Sequence, residues 1–271
     1  MSTDEISTPD YLYHYTSIEA LSLILKTKKI KLKRLDKVND PTEELSRDGK
    51  YGKYLFVTCW TSQLSEILPF WYMYGHNSRG IRIGLPINFI MSYKVRAQVH
   101  ETDGSISYGN CFDSIIPEEE LFTSDHLVAN YIAMSNKFFP MEYTDDSKLL
   151  KPPILNQNDD GGLTVALDAL GRHKRTMWGC EEEWRYKLII HPYSIKEANT
   201  SHVSARRAFE NQEDLGFEDY FLCISDEAYS QMEVRLGPLC TESDQIMVEA
   251  LIHKYNPAAL LNPSDLKGRV R

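Results

Sequence analysis

The stretch from Glu181 to Ile190 constrains the fold more than any other part of this sequence, because it combines regular alternation with a high density of charge. Successive side chains of a β-strand point to opposite faces of a sheet. A strand here would carry Glu181, Glu183, Arg185 and Lys187 on one face. Its other face would carry Glu182, Trp184, Tyr186, Leu188 and Ile190, a set that is typical of a core face. We therefore predict a strand whose charged beginning lies at a sheet edge or at the mouth of a cleft.

Two interpretations of the charged face are open. A pair of carboxylates such as Glu181 and Glu183 can orient a sugar hydroxyl or stabilise a developing positive charge. Charge clusters are more often solvated ion pairs on the surface, which contribute little to the stability of the fold. These residues alone leave open whether the charged face is a functional site or a solvent-exposed surface, so other segments of the chain are needed.

Composition indicates a globular protein. The chain has 271 residues, of which 42% are hydrophobic and 25% charged, so it can bury a substantial core. The formal net charge is −9 and the isoelectric point about 5.4. This charge gives no global attraction for nucleic acid or an anionic membrane, although a local basic patch could still bind phosphate.

The start of the chain and the cysteines indicate in which compartment the protein is expected. Residues 1–10 form a polar, acidic leader that lacks the features of a signal peptide, and no apolar run reaches membrane-spanning length. Five cysteines occur without a Cys-x-x-Cys pair. We therefore expect a cytoplasmic protein with reduced thiols, no structural zinc and no membrane partner.

The first third of the chain has clear local signals. Thr16 and Glu19 have the spacing of a capping box, which predicts a helix start. Asn39 and Asp40 begin a turn with its own side-chain acceptors, for which an Asx turn that caps a following short helix is the favoured interpretation. The predicted strands are Tyr11 to Tyr15, Ile30 to Leu35, Tyr54 to Thr61 and Gly80 to Leu85, with a short helix from Phe70 to Tyr74.

Residues 92–175 give the weakest signals. The predictions there are a strand near Tyr93 to His100, helices near Pro117 to Lys137 and Leu163 to Met177, and a polar loop from Lys151 to Gly162. The basic segment from Arg172 to Arg175, which includes Lys174, is interpreted either as cations at a helix C-terminus or as a phosphate contact.

The end of the chain predicts a polar loop with one short helix from Asn199 to Glu218, strands from Tyr220 to Ile224 and Met232 to Leu236, and a helix from Ser243 to Lys254. No repeat or linker divides the chain, so one α+β domain over residues 11–271 is the simplest arrangement. The sequence has no Gly-rich phosphate loop, no His-Glu-x-x-His and no nucleophile elbow.

Five short motifs occur in order along the chain, and together they are more specific than any one alone. They are Tyr-His-Tyr-Thr-Ser (13–17), Asn-Asp-Pro-Thr-Glu (39–43), Cys-Trp-Thr (59–61), Trp-x-x-Tyr (71–74) and Glu-x-Glu-Trp-Arg (181–185). The series resembles a bacterial family catalogued as a domain of unknown function, over nearly the whole chain. Thr61 stands where that family tends to have Ser.

The same order resembles, more distantly, the ADP-ribosyltransferase superfamily with its histidine, aromatic or hydroxyl residue, and glutamate. The resemblance implies split antiparallel β-sheets with flanking helices. It also implies that His14, with Tyr15 beside it, contacts NAD. Thr61 would take the hydroxyl position, and Trp71 or Tyr74 would stack on the nicotinamide.

The resemblance gives the two glutamates separate roles. Glu183 would bind the 2′-hydroxyl of the nicotinamide ribose and stabilise an oxocarbenium-like transition state. Glu181 would position or deprotonate the acceptor. Arg185 would hold the charged face in shape as an ion-pair partner.

The function implied by the resemblance is NAD-dependent transfer of ADP-ribose to a protein, RNA or DNA acceptor, with NAD as substrate and no metal. The resemblance also suggests a bacterial toxin or phage-defence effector with an antitoxin or immunity partner. The alternatives are a catalytically silent ligand- or partner-binding domain of the same fold, or a metal-free nuclease that uses His14 and Glu183.

Overall fold

The computed structural model of the protein describes residues 8–99, 106–121, 123–130, 132–133, 137–157, 163–200 and 202–271. Residues 1–7 of the predicted leader, His100 and residues 158–162 of the predicted polar loop lie outside the described residues. Strands and helices intermingle along the described chain, which makes it a mixed α/β domain.

The strands form one large sheet and three small two-stranded ones. In chain order the strands of the described residues are β1 (Tyr11–Thr16), β2 (Lys29–Arg34), β3 (Leu55–Thr61), β4 (Ile81–Pro86), β5 (Tyr93–Val99), β6 (Ile106–Ser114), β7 (Leu127–Val128), β8 (Phe139–Pro140), β9 (Glu142–Tyr143), β10 (Leu155–Gln157), β11 (Leu163–Val165), β12 (His173–Lys174), β13 (Glu183–His191), β14 (Asp219–Cys223), β15 (Glu233–Leu236) and β16 (Leu260–Asn262).

The helices are mostly short. They are α1 (Ile18–Thr27), α2 (Leu68–Met73), α3 (Glu118–Leu121), α4 (Ser147–Leu150), α5 (Ile195–Thr200), α6 (His202–Glu210), α7 (Asp226–Ser230) and α8 (Glu242–Tyr255). Single 3₁₀ turns occupy Leu35–Lys37, Gly52–Tyr54 and Leu167–Ala169, and a longer 3₁₀ segment occupies Thr176–Glu181. No helix among the described residues combines the length and apolar character that crossing a bilayer requires.

The main sheet forks at β3. One edge of β3 pairs with β13, up to Thr61 opposite Glu183. The other edge is shared, because β2 pairs with it at Phe56 and Val57 while β1 pairs with it at Thr61 alone. No described strand pairs with that edge over Thr58 to Trp60, between the two contacts. One arm of the fork is β2 with β14, and the other is β1 with β4, β15 and β16.

The helix α1 joins the two arms. Both β1 and β2 are antiparallel to β3, so they run in the same direction and α1 leads from the end of one to the start of the other. Leu21, Ile24 and Leu25 bury one face of α1, as the helical spacing predicted. The N-cap is Ser17 and not the predicted Thr16, because Thr16 still pairs with Ile81 as the last residue of β1.

β13 confirms the predicted alternation but not its setting. Trp184 and Tyr186 are buried on the expected core face, yet Glu183 and Arg185 on the other face are buried as well. The strand lies inside the sheet, with β3 on one side and β7 and β8 on the other. The sheet-edge alternative and the solvated-surface interpretation were therefore wrong, because the charged side chains pair with one another instead of with water. The other predicted setting was a cleft, and Glu183 does line a cavity.

The start of this strand also differs from the prediction. Glu181 ends the 3₁₀ segment, and β13 begins only at Glu183. Glu182 lies between them with a left-handed φ of 43° and an exposed side chain, so it does not belong to a core face. This reversal turns Glu181 back toward the same region as Glu183, although the two do not share a strand.

Two helices predicted between residues 92 and 175 are wrong. Of the residues that the structure describes in the first, only Glu118–Leu121 are helical, and the chain turns at Thr123, whose hydroxyl accepts the His126 N–H at 3.1 Å. The second region contains β11, a 3₁₀ turn and β12, and Gly171 with φ 68° interrupts any helix there. The strand near Tyr93 is confirmed as β5, which pairs with β6.

The predictions beyond Asn199 are confirmed more closely. β14, β15 and α8 all lie where the pattern placed them, and α6 is the short helix expected in the polar segment. Thr241 and Asp244 form a capping box at the start of α8. These elements complete the arms of the fork around a core that includes Leu12, Phe56 and Ile83.

Candidate functional site

A cavity of about 750 Å³ lies in the fork, between β1, β2 and α1 and alongside β3. This volume is within the range of small-molecule and cofactor sites. Candidate residues from all five sequence motifs line the cavity, namely His14, Tyr15, Asn39, Thr61, Tyr74, Glu181, Glu183 and Arg185, together with Lys174. Segments that are far apart in the sequence therefore meet at one place.

Five charged side chains buried beside the cavity form what we call the ion cluster: Glu43, Lys174, Glu181, Glu183 and Arg185. Lys174 Nζ lies 2.6 Å from Glu181 Oε2 and 2.7 Å from Glu183 Oε2. Arg185 donates through Nε to Glu183 Oε1 at 2.7 Å and through Nη1 to Glu43. Three carboxylates thus face two cations, which leaves the ion cluster with a net charge of −1.

Glu183 is held as a carboxylate. Burial raises the pKa of its carboxyl, but Arg185 and Lys174 outweigh this effect and lower the pKa to about 2. Burial lowers the pKa of Lys174, but Glu183 and Glu43 reverse this and raise the pKa above its ordinary value. A carboxylate has about four acceptor positions, so the donors Lys174, Arg185 and the Cys59 thiol leave Glu183 room for a further hydrogen bond. It is suited to stabilising positive charge rather than to donating a proton.

Glu181 reaches the ion cluster from the end of its 3₁₀ segment. The Tyr74 hydroxyl donates to Glu181 Oε1 at 2.5 Å, while Oε2 contacts Lys174. Burial and the neighbouring Glu181 carboxylate raise the pKa of Tyr74, so its hydroxyl stays protonated. Glu181 and Glu183 are joined by one lysine at a single site.

His14 lies on the opposite side of the gap in the sheet from β13. Its Nδ1 is 2.9 Å from the Cys59 carbonyl oxygen, and a carbonyl only accepts, so Nδ1 carries the proton. Burial lowers the pKa of His14, although the Cys59 hydrogen bond opposes this. A neutral ring in this tautomer leaves Nε2 as an acceptor in the cavity wall.

Thr61 joins the two sides of the site. It pairs in register with Tyr13 of β1 and with Glu183 of β13, which fixes its position next to the ion cluster. Its hydroxyl oxygen accepts the Gln63 N–H at 3.3 Å and keeps its own proton for donation.

The two candidate stacking residues have different surroundings. Trp71 is fully buried, donates to Glu66 at 2.8 Å and does not line the cavity, so its ring offers no face to a ligand. Tyr74 is half-buried and does line it. Tyr15 is buried in the wall, where its hydroxyl accepts the Ile67 N–H at 3.1 Å. The stacking interpretation is thus corrected to Tyr74 alone.

The turn that begins at Asn39 and Asp40 lies next to the cavity. Asp40 Oδ1 accepts the Thr42 N–H at 2.9 Å, which confirms the predicted Asx turn, but residues 41–44 form a turn and not the short helix expected after it. Asp40 is buried and does not line the cavity, whereas Asn39 does and contacts the Tyr74 hydroxyl. The turn delivers Glu43 to the ion cluster.

The basic segment from Arg172 to Arg175 does not form a continuous patch. Lys174 points into the ion cluster and is buried, while Arg172 forms an exposed ion pair with Asp168 at 2.6 Å. Lys174 therefore belongs to the site as a carboxylate partner. The helix C-terminus predicted for this segment is not present, because His173 and Lys174 form a strand.

Sequence reasoning missed three contributors. Glu43 ended a recognised motif but received no role, although it pairs with Arg185. Tyr143, whose hydroxyl accepts the Glu183 N–H at 2.9 Å, lies in the region with the weakest patterns and gave no signal. Cys59 lies in a recognised motif but received no role, although its backbone carbonyl accepts from His14 and its thiol contacts Glu183.

Within the described part of the chain, no group of three or more His, Cys, Asp or Glu side chains is arranged to hold a metal ion. Comparison with known proteins gives no significant match to a family model, to a curated protein or to a solved structure.

Proposed function

We propose that this protein is an ADP-ribosyltransferase that binds NAD in the forked-sheet cavity and transfers ADP-ribose to a macromolecular acceptor. One observation carries the proposal: His14, Thr61, Tyr74 and Glu183, from four separate segments, line a single cavity with Glu183 ionised beside it. The particular set was expected from motifs alone, and their convergence supports a common role.

The residues would divide the work of binding NAD. The nicotinamide ring stacks on Tyr74, and His14 Nε2 accepts a hydrogen bond from the amide or from a ribose hydroxyl. Thr61 donates to the same end of the molecule. The positive charge of the nicotinamide lies next to the ion cluster, whose net charge is negative.

The chemistry requires charge stabilisation more than proton transfer. The bond between ribose C1′ and the nicotinamide nitrogen breaks, and nicotinamide leaves as a neutral molecule with the bonding electron pair. Positive charge then develops on C1′ and the ring oxygen, where ionised Glu183 stabilises it. The acceptor nucleophile bonds to C1′ and gives up its proton to Glu181, which passes it to solvent.

Transfer can be tested with labelled NAD and candidate protein, RNA and DNA acceptors. Glu183→Gln should reduce transfer and nicotinamide release by about 100-fold or more, the usual loss when a transition-state charge contact is removed. Glu182→Gln is the matched control, because Glu182 is adjacent but exposed. Circular dichroism would show whether each variant is folded. Undiminished transfer by folded Glu183→Gln, or no nicotinamide release by the parent protein, would refute the proposal.

A binding domain without transfer is the competing proposal, and one observation favours it. Both oxygens of Glu183 already contact cations, which is what a purely structural ion cluster would show. If the protein is a binding domain without transfer, we expect calorimetry to show NAD binding, with no nicotinamide released by the parent protein or by Glu183→Gln. The toxin or phage-defence setting and an antitoxin partner are proposals that rest on the sequence resemblance alone.

A further inference from the structure

The arm of the fork formed by β2 and β14 presents a basic face to the cavity. Ile30 and Leu32 are buried, so the alternating residues Lys29, Lys31 and Lys33 lie on the opposite face, and all three line the cavity. Lys29 and Lys33 are about 13 Å apart along the strand, so their long side chains can converge on one group between them.

The three lysines differ in their ion pairing. Lys31 forms an ion pair with Asp219 at 2.7 Å. Among the described residues, no carboxylate forms an ion pair with Lys29 or Lys33. Their positive charge therefore faces the cavity and solvent, in contrast to Lys174, which two carboxylates hold within 2.7 Å.

An aromatic ring accompanies the lysines. Phe221 of β14 pairs in register with Lys31 of β2, lines the cavity and is 47% exposed. Aromatic side chains between basic residues are the usual means of stacking a base while its phosphates are neutralised.

The two ends of the cavity consequently have opposite charge. The ion cluster supplies net negative charge beside Thr61, whereas the β2 arm supplies net positive charge and an aromatic face. NAD has the same asymmetry, with a cationic nicotinamide at one end and an anionic diphosphate followed by adenine toward the other.

We infer that the β2–β14 arm binds the ADP half of the substrate, with Lys29 and Lys33 contacting the diphosphate and Phe221 stacking on the adenine. The identity of that substrate as NAD rests on the proposed function. The recognition of a nucleoside diphosphate does not, because it depends on none of the residues of the ion cluster.

The test is a calorimetric titration with ADP, which carries the diphosphate and the base but no nicotinamide. Lys29→Ala/Lys33→Ala should weaken ADP binding about ten-fold or more, since hydrogen bonds to charged groups are lost. Phe221→Ala should weaken it about five-fold or more through lost stacking. Lys26→Ala/Lys37→Ala removes the same charge from exposed lysines outside the cavity and should leave binding unchanged.

The outcomes separate this inference from the proposed function. ADP binding that depends on the lysines and Phe221 supports the inference even if no ADP-ribose is transferred. Active transfer combined with equal ADP affinity in the lysine pair and its control would overturn the inference alone. Failure of the parent protein to bind millimolar ADP would overturn it as well. Glu183→Gln should bind ADP as the parent does.

Discussion

At the scale of single residues, the ion cluster determines what Glu183 can do. Burying an unpaired carboxylate is costly, and the usual response is a raised pKa and a neutral group. Here Arg185, which is completely buried, and Lys174 supply the compensating charge. The result is a carboxylate that stays ionised out of water, where its field is less screened than at the surface.

Removing Arg185 should therefore destabilise the fold strongly. Arg185→Leu leaves Lys174 as the one remaining cation of the ion cluster beside three buried carboxylates, and we expect a loss of about 3–5 kcal/mol in the free energy of unfolding. Arg172→Leu is the matched control, because its ion pair with Asp168 is exposed and should contribute about 1 kcal/mol or less. Urea denaturation measures both. Equal losses would show that Arg185 does not compensate buried charge.

Glu183 should also give the protein a specific acid sensitivity. Its folded pKa of about 2 is below the ordinary value of 4.5, so the unfolded chain takes up the proton more readily. The stability it contributes is present above pH 4.5 and is lost as the pH falls toward about 2. In denaturation curves across this interval, Glu183→Gln should lose less stability than Glu182→Gln. Parallel pH profiles would contradict the assigned pKa.

At the scale of secondary-structure elements, α1 matters because it joins the two arms of the fork and lines the cavity with Ala20 and Ile24. Its N-terminus is fixed by Ser17, whose hydroxyl oxygen accepts the Ala20 N–H at 3.2 Å. The sequence pattern favoured Thr16 instead, since Thr16 and Glu19 have capping-box spacing. Pairing of Thr16 with Ile81 keeps Thr16 in β1 and moves the cap by one residue.

Neighbouring substitutions can confirm which residue caps α1. Ser17→Ala should lower the free energy of unfolding by about 1 kcal/mol, because the Ala20 N–H loses its acceptor. Thr16→Ala is the control and should cost less in thermal or urea denaturation. The reverse order would identify Thr16 as the cap.

Elements with strong local patterns could be predicted, and elements set by distant contacts could not. β3 and α8 have apolar and capping signals within their own residues, and both were found where expected. The segment around Lys174 forms no helix, because β12 pairs with β9 and Lys174 is drawn into the ion cluster. The alternation in β13 assigned its faces correctly, but burial of the charged face depended on cations and turns elsewhere in the chain.

At the scale of the whole molecule, the fork explains why motifs spread over some 170 residues act together. The order of the motifs suggested a shared site, and residues from each of them line one cavity. The fork itself could not be deduced from the sequence, because it requires β1 and β2 to compete for the same edge of β3. The basic face of the β2–β14 arm could not be predicted either, because three alternating lysines are also typical of a solvent-exposed strand.

The most direct measurement of the central claim is a crystal structure of the protein with a non-cleavable NAD analogue. The account predicts that the analogue occupies the fork, with its nicotinamide ribose against Glu183 and its adenosine diphosphate along Lys29, Lys33 and Phe221. An analogue bound only elsewhere, such as in the groove of about 580 Å³ lined by residues of α1 and α8, would contradict it. So would a fork that remains empty at saturating concentrations of the analogue.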